Sequence, residues 1–233
     1  MGHHFYWAGE PAIWIALGST FSMLEVIPLL VMLVRAGREY RAIRDAGGAF
    51  PQRTAFRFFT WAAIWNFLGA GILGGIINPP IASYYEHGTF LTLAHAHSSM
   101  FGVFGLLALG LVYLGVRAMI PSEVWNDRAA TWVLRLFNAA IALWLALNLI
   151  PIGVGQVVAV IDRGYWYARS LDFYEHWVVF EWLRLAGDVA FIAAGGLMLS
   201  DLVQKLRIAR KAPKASSPGY QPEQLSAGDS VRS

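Results

Sequence analysis

Two histidines, His95 and His97, open a long uncharged run in this chain, and from Met100 to Val116 no residue carries a charge. On a helix turning ~100° per residue, positions i and i+2 point about 200° apart. One helix there aims two imidazoles in nearly opposite directions. A single metal does not easily take both, whereas two separate centres, one on each side of the helix, could. Neutral imidazole is a common metal ligand and suits iron and copper. Polar side chains beside an apolar span are costly without partners, so a functional role is the first reading. The plainer alternative is a pair of interfacial histidines held by backbone carbonyls or lipid headgroups.

Other residues could do related chemistry. His3 and His4 are adjacent and run straight into the aromatic segment Phe5-Tyr6-Trp7. Both can reach one metal where a helix end lets their rings converge, but a first-row metal then needs ligands from elsewhere. An expression-tag scar is the other reading of such a pair. Glu25 lies about 14 residues into an apolar stretch, roughly 21 Å along a helix. A carboxylate at that depth is protonated, paired or part of a proton route, or it simply hydrogen-bonds a neighbouring helix. Glu181, Arg184 and Asp188 fall at i, i+3 and i+7 and share one helix face. Glu181 and Arg184 read as a self-neutralising pair. Asp188 lies deeper, beside Gly187, which lets something approach closely. Arg184 could also meet a cofactor carboxylate.

The elements that position these residues are membrane spans. Of 233 residues, 57% are apolar and 14% charged, where soluble domains run near ~25% charged. Ten Trp, nine Tyr and fourteen Phe suit aromatic belts at two interfaces. There is no cysteine, which excludes disulfides, thiolate metal sites, iron–sulfur clusters and thioether haem attachment. Spans of about 20 apolar residues are expected at residues 11–34, 58–77, 93–116, 136–161 and 177–203. The fold class is therefore all-α integral membrane, a bundle of five transmembrane helices over residues 1–204. Residues 205–233 are polar, with Pro, Ser and Gly, and read as a disordered tail.

The charges set the orientation. The connection from Arg35 to Arg57 holds six Arg, that from Arg117 to Arg135 three, and Lys205, Arg207, Arg210, Lys211 and Lys214 follow the last span. All three segments fall on one side if every stretch spans. The positive-inside rule makes that side cytoplasmic, with His95 and His97 near the outer face. The charge of +3 thus reads as membrane orientation and not as nucleic-acid binding. A first helix that starts outside with no preceding charge suggests helices upstream of this chain.

Several segments together resemble a known family. Gly2-His3-His4-Phe5-Tyr6-Trp7-Ala8-Gly9-Glu10-Pro11, then Gly18-Ser19-Thr20-Phe21-Ser22-Met23-Leu24-Glu25, resemble the catalytic subunit of bacterial nitric oxide reductases, a branch of the haem–copper oxidase superfamily. Tyr84-Tyr85-Glu86-His87-Gly88-Thr89-Phe90-Leu91-Thr92, leading into His95-Ala96-His97, resembles the segment before that family's haem-ligating helix. The stretches Arg163 to Leu171 and Glu181 to Asp188 are most similar to the quinol-dependent members. The resemblance implies haem b at two sites, a non-haem iron, quinol as electron donor and nitric oxide as substrate, in a bacterial inner membrane with the tail cytoplasmic. His95 matches the axial ligand of the high-spin haem and His97 one axial ligand of the low-spin haem. His3 and His4 match two of three histidines on the non-haem iron. Glu25 matches a carboxylate near that binuclear centre. Asp188 and Leu185 match part of the quinol pocket.

The family core has about twelve helices, and this chain matches the last five and the tip of the one before them. The other low-spin ligand, the third iron histidine and most of the quinol site would come from N-terminal helices or a partner chain. The isolated chain is accordingly expected to be incomplete and inactive. The competing readings are an oxygen-reducing haem–copper oxidase, a cytochrome c-dependent nitric oxide reductase, and a non-catalytic haem- or quinone-binding subunit or inactive remnant. Iron alone would favour the first assignment and copper the oxygen reductase.

Overall fold

In the computed structural model, which describes residues 11–47, 52–121 and 124–211, the histidines lie on the third of five long helices. These are α1 (Ala12–Asp45), α2 (Arg53–Ile77), α3 (Phe90–Ala118), α4 (Arg128–Ala168) and α5 (Val178–Lys211), each long and apolar enough to cross a membrane. Short helices at Pro80–Glu86 and Leu171–Glu175 lie in the two connections on the histidine side. The fold is the all-α membrane bundle expected.

Every helix outruns its hydropathic stretch. Hydropathy marks where the bilayer ends, whereas helix hydrogen bonding continues into water wherever side chains support it. α1 runs on through its basic residues to Asp45, and α4 spans 41 residues with a kink at Gly164 (φ 84°, ψ 168°); the helix before the kink alone is about 50 Å long, far beyond a hydrocarbon core of about 30 Å. α5 continues through Lys205 to Lys211, so the first seven residues expected to be tail are helical. Lys205 is buried there and pairs with Asp201 one turn back, while Tyr113 donates to the other Asp201 oxygen at 3.0 Å. The remaining tail residues lie outside those described.

The helices are not uniform. α1 is interrupted at Glu25, three residues before Pro28, which has no N–H to return to Leu24. Among the described residues three stretches are wound as π-helix: Asn66–Leu73 in α2, Met100–Gly105 in α3 and Leu145–Leu149 in α4. Each has a local cause. The first is glycine-rich. The second follows Ser98 and Ser99, whose hydroxyls donate to the carbonyls of Ala94 at 2.7 Å and His95 at 2.5 Å and so compete with the backbone ladder. The third precedes Pro151, which cannot donate to Leu147. Such wide turns recur at functional sites, and all three lie in the helices around His95 and His97.

The core lies between α2, α3, α4 and α5, built on Phe58, Leu106, Val133, Phe137 and Ile141. Buried polar links fix the register. Trp65 of α2 donates to Asn138 of α4 at 2.6 Å. Gln156 of α4 accepts from the Phe90 N–H at 2.7 Å, satisfying a first-turn donor of α3.

Candidate functional site

α3 begins at a hydrogen-bonded turn. Thr89 caps it, its hydroxyl accepting from the Leu91 N–H at 3.2 Å. Thr92 donates to the Glu86 carboxylate at 2.9 Å, and the Gly88 N–H donates to Thr92 at 3.0 Å. Glu86 is buried in this turn, and burial pushes its carboxyl up to about 7, the Thr92 hydrogen bond offsetting part of the rise. Nothing in the sequence singles Glu86 out from an ordinary loop acid. Its spacing to Thr92, with a capping threonine between, is the one readable trace.

From that anchor α3 carries the two imidazoles to different walls. His95 turns to α2, where its Nδ1 stands 2.9 Å from the Gly69 carbonyl in the π-helical stretch. His97 turns toward α4, its ring edge-on to Trp144 with centroids 5.7 Å apart. His97 Nδ1 meets the Leu93 carbonyl of its own helix at 2.8 Å. A carbonyl can only accept, so in both rings Nδ1 carries the proton and the lone pair sits on Nε2. A backbone carbonyl on one ring nitrogen is the usual support of a histidine that binds metal through the other. The donor chemistry therefore fits a residue that would ligate a haem iron at each position.

Glycines make the close packing possible. A Cβ on Gly69 would stand 2.6 Å from Ser98 Cβ, and one on Gly74 would stand 3.2 Å from His95 Cε1. Asn78 lies beside the same point, its side-chain nitrogen 3.5 Å from it, and its buried Oδ1 has no hydrogen-bond partner among the described residues.

On the α4–α5 side, Asp188 accepts from Trp144 Nε1 at 2.9 Å and pairs with Arg184 at 3.3 Å. Among the described residues Arg184 makes its ion pair with Asp188 and not with Glu181. The close approach expected at Gly187 is that of the Trp144 ring: a Cβ there would stand 2.5 Å from Trp144 Nε1. Leu185 points outward and is exposed. Trp144 was not legible as a site residue, since an aromatic within an uncharged span reads as core or belt.

Glu25 is brought to none of these. It sits at the break in α1 on an exposed face, where its backbone N–H donates to the Ser22 carbonyl at 3.3 Å and its carboxylate meets no side chain in an ion pair among the described residues. His3 and His4 lie outside the described residues. Among the described residues no three His, Asp or Glu side chains converge as a metal site.

The chain is 28% identical over 199 residues to a nitric oxide reductase subunit of Stutzerimonas stutzeri, an alignment covering 82% of this chain and 40% of that protein. The chain thus spans under half the length of the curated relative it matches. The family model described as cytochrome C and quinol oxidase polypeptide I matches residues 1–190. With five apolar spans and that match over most of its length, the chain is a multi-pass membrane protein of the cytochrome c and quinol oxidase polypeptide I family, the haem–copper oxidase superfamily.

Proposed function

We propose that this chain is the C-terminal, cofactor-bearing part of a quinol-dependent nitric oxide reductase, converting two NO, two protons and two electrons into N2O and water. The observation that carries the reading is the pair of imidazoles on α3, aimed at different helices, each with its Nδ1–H on a backbone carbonyl. His95 would hold the high-spin haem and His97 the low-spin haem, both haem b, through Nε2. His3 and His4 would hold two positions on the non-haem iron. When bound, these groups supply the redox chemistry and the sites for NO.

The chain's own residues have separable tasks. Gly69 and Leu93 fix the tautomer and angle of the two rings through their carbonyls. Glu25, on the exposed face of α1, would turn its carboxylate to a binuclear centre that the other helices complete, where it can hold a proton for the reaction. Asp188, with Arg184 and Leu185, offers a hydrogen-bond acceptor beside a cation and an apolar surface for a quinol headgroup. Helices supplied by a preceding segment or partner chain complete the other haem and iron ligands. The 233-residue chain alone is then inactive in quinol-dependent NO turnover, and activity of the purified chain would refute this. The protein sits in a bacterial inner membrane with its basic connections and tail in the cytoplasm.

The test is a pair of substitutions in the complete, cofactor-loaded assembly. His97→Ala removes the low-spin haem bands from the optical spectrum, and His95→Ala removes the high-spin ones. Loss of the same bands in both variants overturns the two-sided assignment. The family description, which names oxidases, favours an oxygen reductase as the second reading. Metal analysis separates the two: iron without copper supports the NO reductase, and stoichiometric copper supports the oxidase.

A further inference from the structure

Trp144 stands where three helices meet. Its ring packs on His97 of α3 and, with centroids 5.2 Å apart, on Phe191 of α5. Its Nε1–H donates to one oxygen of Asp188, and the other oxygen takes Arg184. The slot that admits the ring is Gly187. An indole N–H only donates, and a partly buried one seeks an acceptor. Here the acceptor is a carboxylate, the stronger kind of bond. The indole is also rigid, with two side-chain torsions. One edge rests on His97 while the N–H is fixed to Asp188, so a single inflexible body spans the distance between them.

We propose that Trp144 is the positioning residue that holds the Asp188 carboxylate in one orientation relative to His97, so that a quinol headgroup bound at Asp188 and Arg184 meets the His97 side in a single geometry. This rests on the reading of His97 as a haem ligand and Asp188 as part of the quinol site. By occupying Oδ1, Trp144 leaves Oδ2, the oxygen shared with Arg184, for a quinol hydroxyl to donate to. Without the indole N–H the carboxylate rotates, and Arg184 draws it outward toward the exposed face of α5.

Trp144→Phe keeps an aromatic ring and removes the donor. Trp144→benzothienylalanine, placed by site-specific incorporation, keeps the whole bicyclic shape and replaces N–H with sulfur, so it separates the hydrogen bond from packing even if Phe folds poorly. Both go into the complete assembly. The probe is a 2-alkyl-4-hydroxyquinoline N-oxide, whose binding is read without turnover by quenching of its own fluorescence. Loss of a hydrogen bond to a charged group weakens probe binding and raises the quinol KM about tenfold, while kcat stays within about twofold and the low-spin optical bands persist. Asp188→Asn in the same background adds to neither variant, since both act through one carboxylate. Unchanged probe affinity in the benzothienyl variant, or effects that multiply with Asp188→Asn, overturns the role of Trp144. His97→Ala distinguishes the underlying reading: if it loses the low-spin bands while the Trp144 variants bind probe normally, only the positioning role falls. If it keeps those bands, the haem assignment itself falls.

Discussion

His95 and His97 share a helix and a hydrogen-bonding mode, yet different levels of structure hold them. His95 is half-buried and its Nδ1 reaches a carbonyl 26 residues back, on α2. His97 is exposed and its Nδ1 reaches a carbonyl four residues back, on α3 itself. The orientation of the first ring is therefore a property of packing between helices and is lost if α2 and α3 move apart. The second ring's angle is local, and what tertiary structure adds is the Trp144 ring at its edge. Two residues of separation on one helix thus yield one site built into the bundle and one presented at its margin. The same gradient runs through the chain: 44% of the apolar stretch of α4 is buried inside the bundle, against 11% of that of α1.

The largest effect strikes what the two histidines have in common, the N-terminal start of α3. Glu86 is buried with its carboxyl raised to about 7 from an ordinary 4.5. The folded chain therefore keeps a proton that the unfolded chain has lost across that interval. Stability from Glu86 is full below about pH 4.5, falls as pH rises, and is gone above about pH 7, a change of about 3 kcal/mol. Thermal unfolding in detergent from about pH 4.5 to about pH 7.5 reads it as a difference. Glu86→Gln, which stays neutral, flattens the slope relative to the parent chain, and equal slopes would show that Glu86 does not hold the proton.

A smaller effect is confined to the His95 side. Gly69→Ala places a Cβ 2.6 Å from Ser98 Cβ and 3.0 Å from the Ser98 backbone carbon. Backbone cannot swing away as a side-chain tip can, so α2 and α3 must separate. The expected cost is about 2 kcal/mol, seen as a lower unfolding temperature. The Gly69 carbonyl moves off His95 as the helices part. Ser98→Gly in the same chain removes the nearer clash and recovers part of the loss; no recovery would locate the strain elsewhere.

Much of this architecture was legible in the residues. Five apolar stretches gave five helices, because the cost of exposing backbone in hydrocarbon leaves few alternatives. That the two rings address different helices, α2 and α4, agrees with a turn of ~100° per residue. What the sequence concealed depends on partners distant along the chain. Gly69 offers only a backbone carbonyl, which leaves no mark in composition. Trp144 lies in an uncharged span like other aromatics, and its N–H gains meaning only from Asp188, 44 residues on. Asp201 and Lys205 carried a readable i,i+4 spacing. The span boundary fell between them, since hydropathy averages away a buried ion pair that lies beside Tyr113 and Trp125.

The smallest effect tests the His97 side against the His95 side by the same substitution. Gly187→Ala directs a Cβ at the Trp144 ring edge, 2.5 Å from Nε1 and 2.9 Å from Cγ. Here the obstacle is a partly buried side chain and not backbone. The indole tilts and releases Asp188, at a cost of about 1 kcal/mol for the hydrogen bond and some repacking. The unfolding temperature therefore falls less than in Gly69→Ala, and the change in the Trp ultraviolet resonance Raman difference spectrum reports a weaker indole hydrogen bond. The His97 hydrogen bond to Leu93 is within α3 and survives, whereas Gly69→Ala disturbs that of His95. If Gly187→Ala proves as costly as Gly69→Ala, the margin of the bundle is as tightly built as its interior, and the distinction between the two histidines reduces to their exposure.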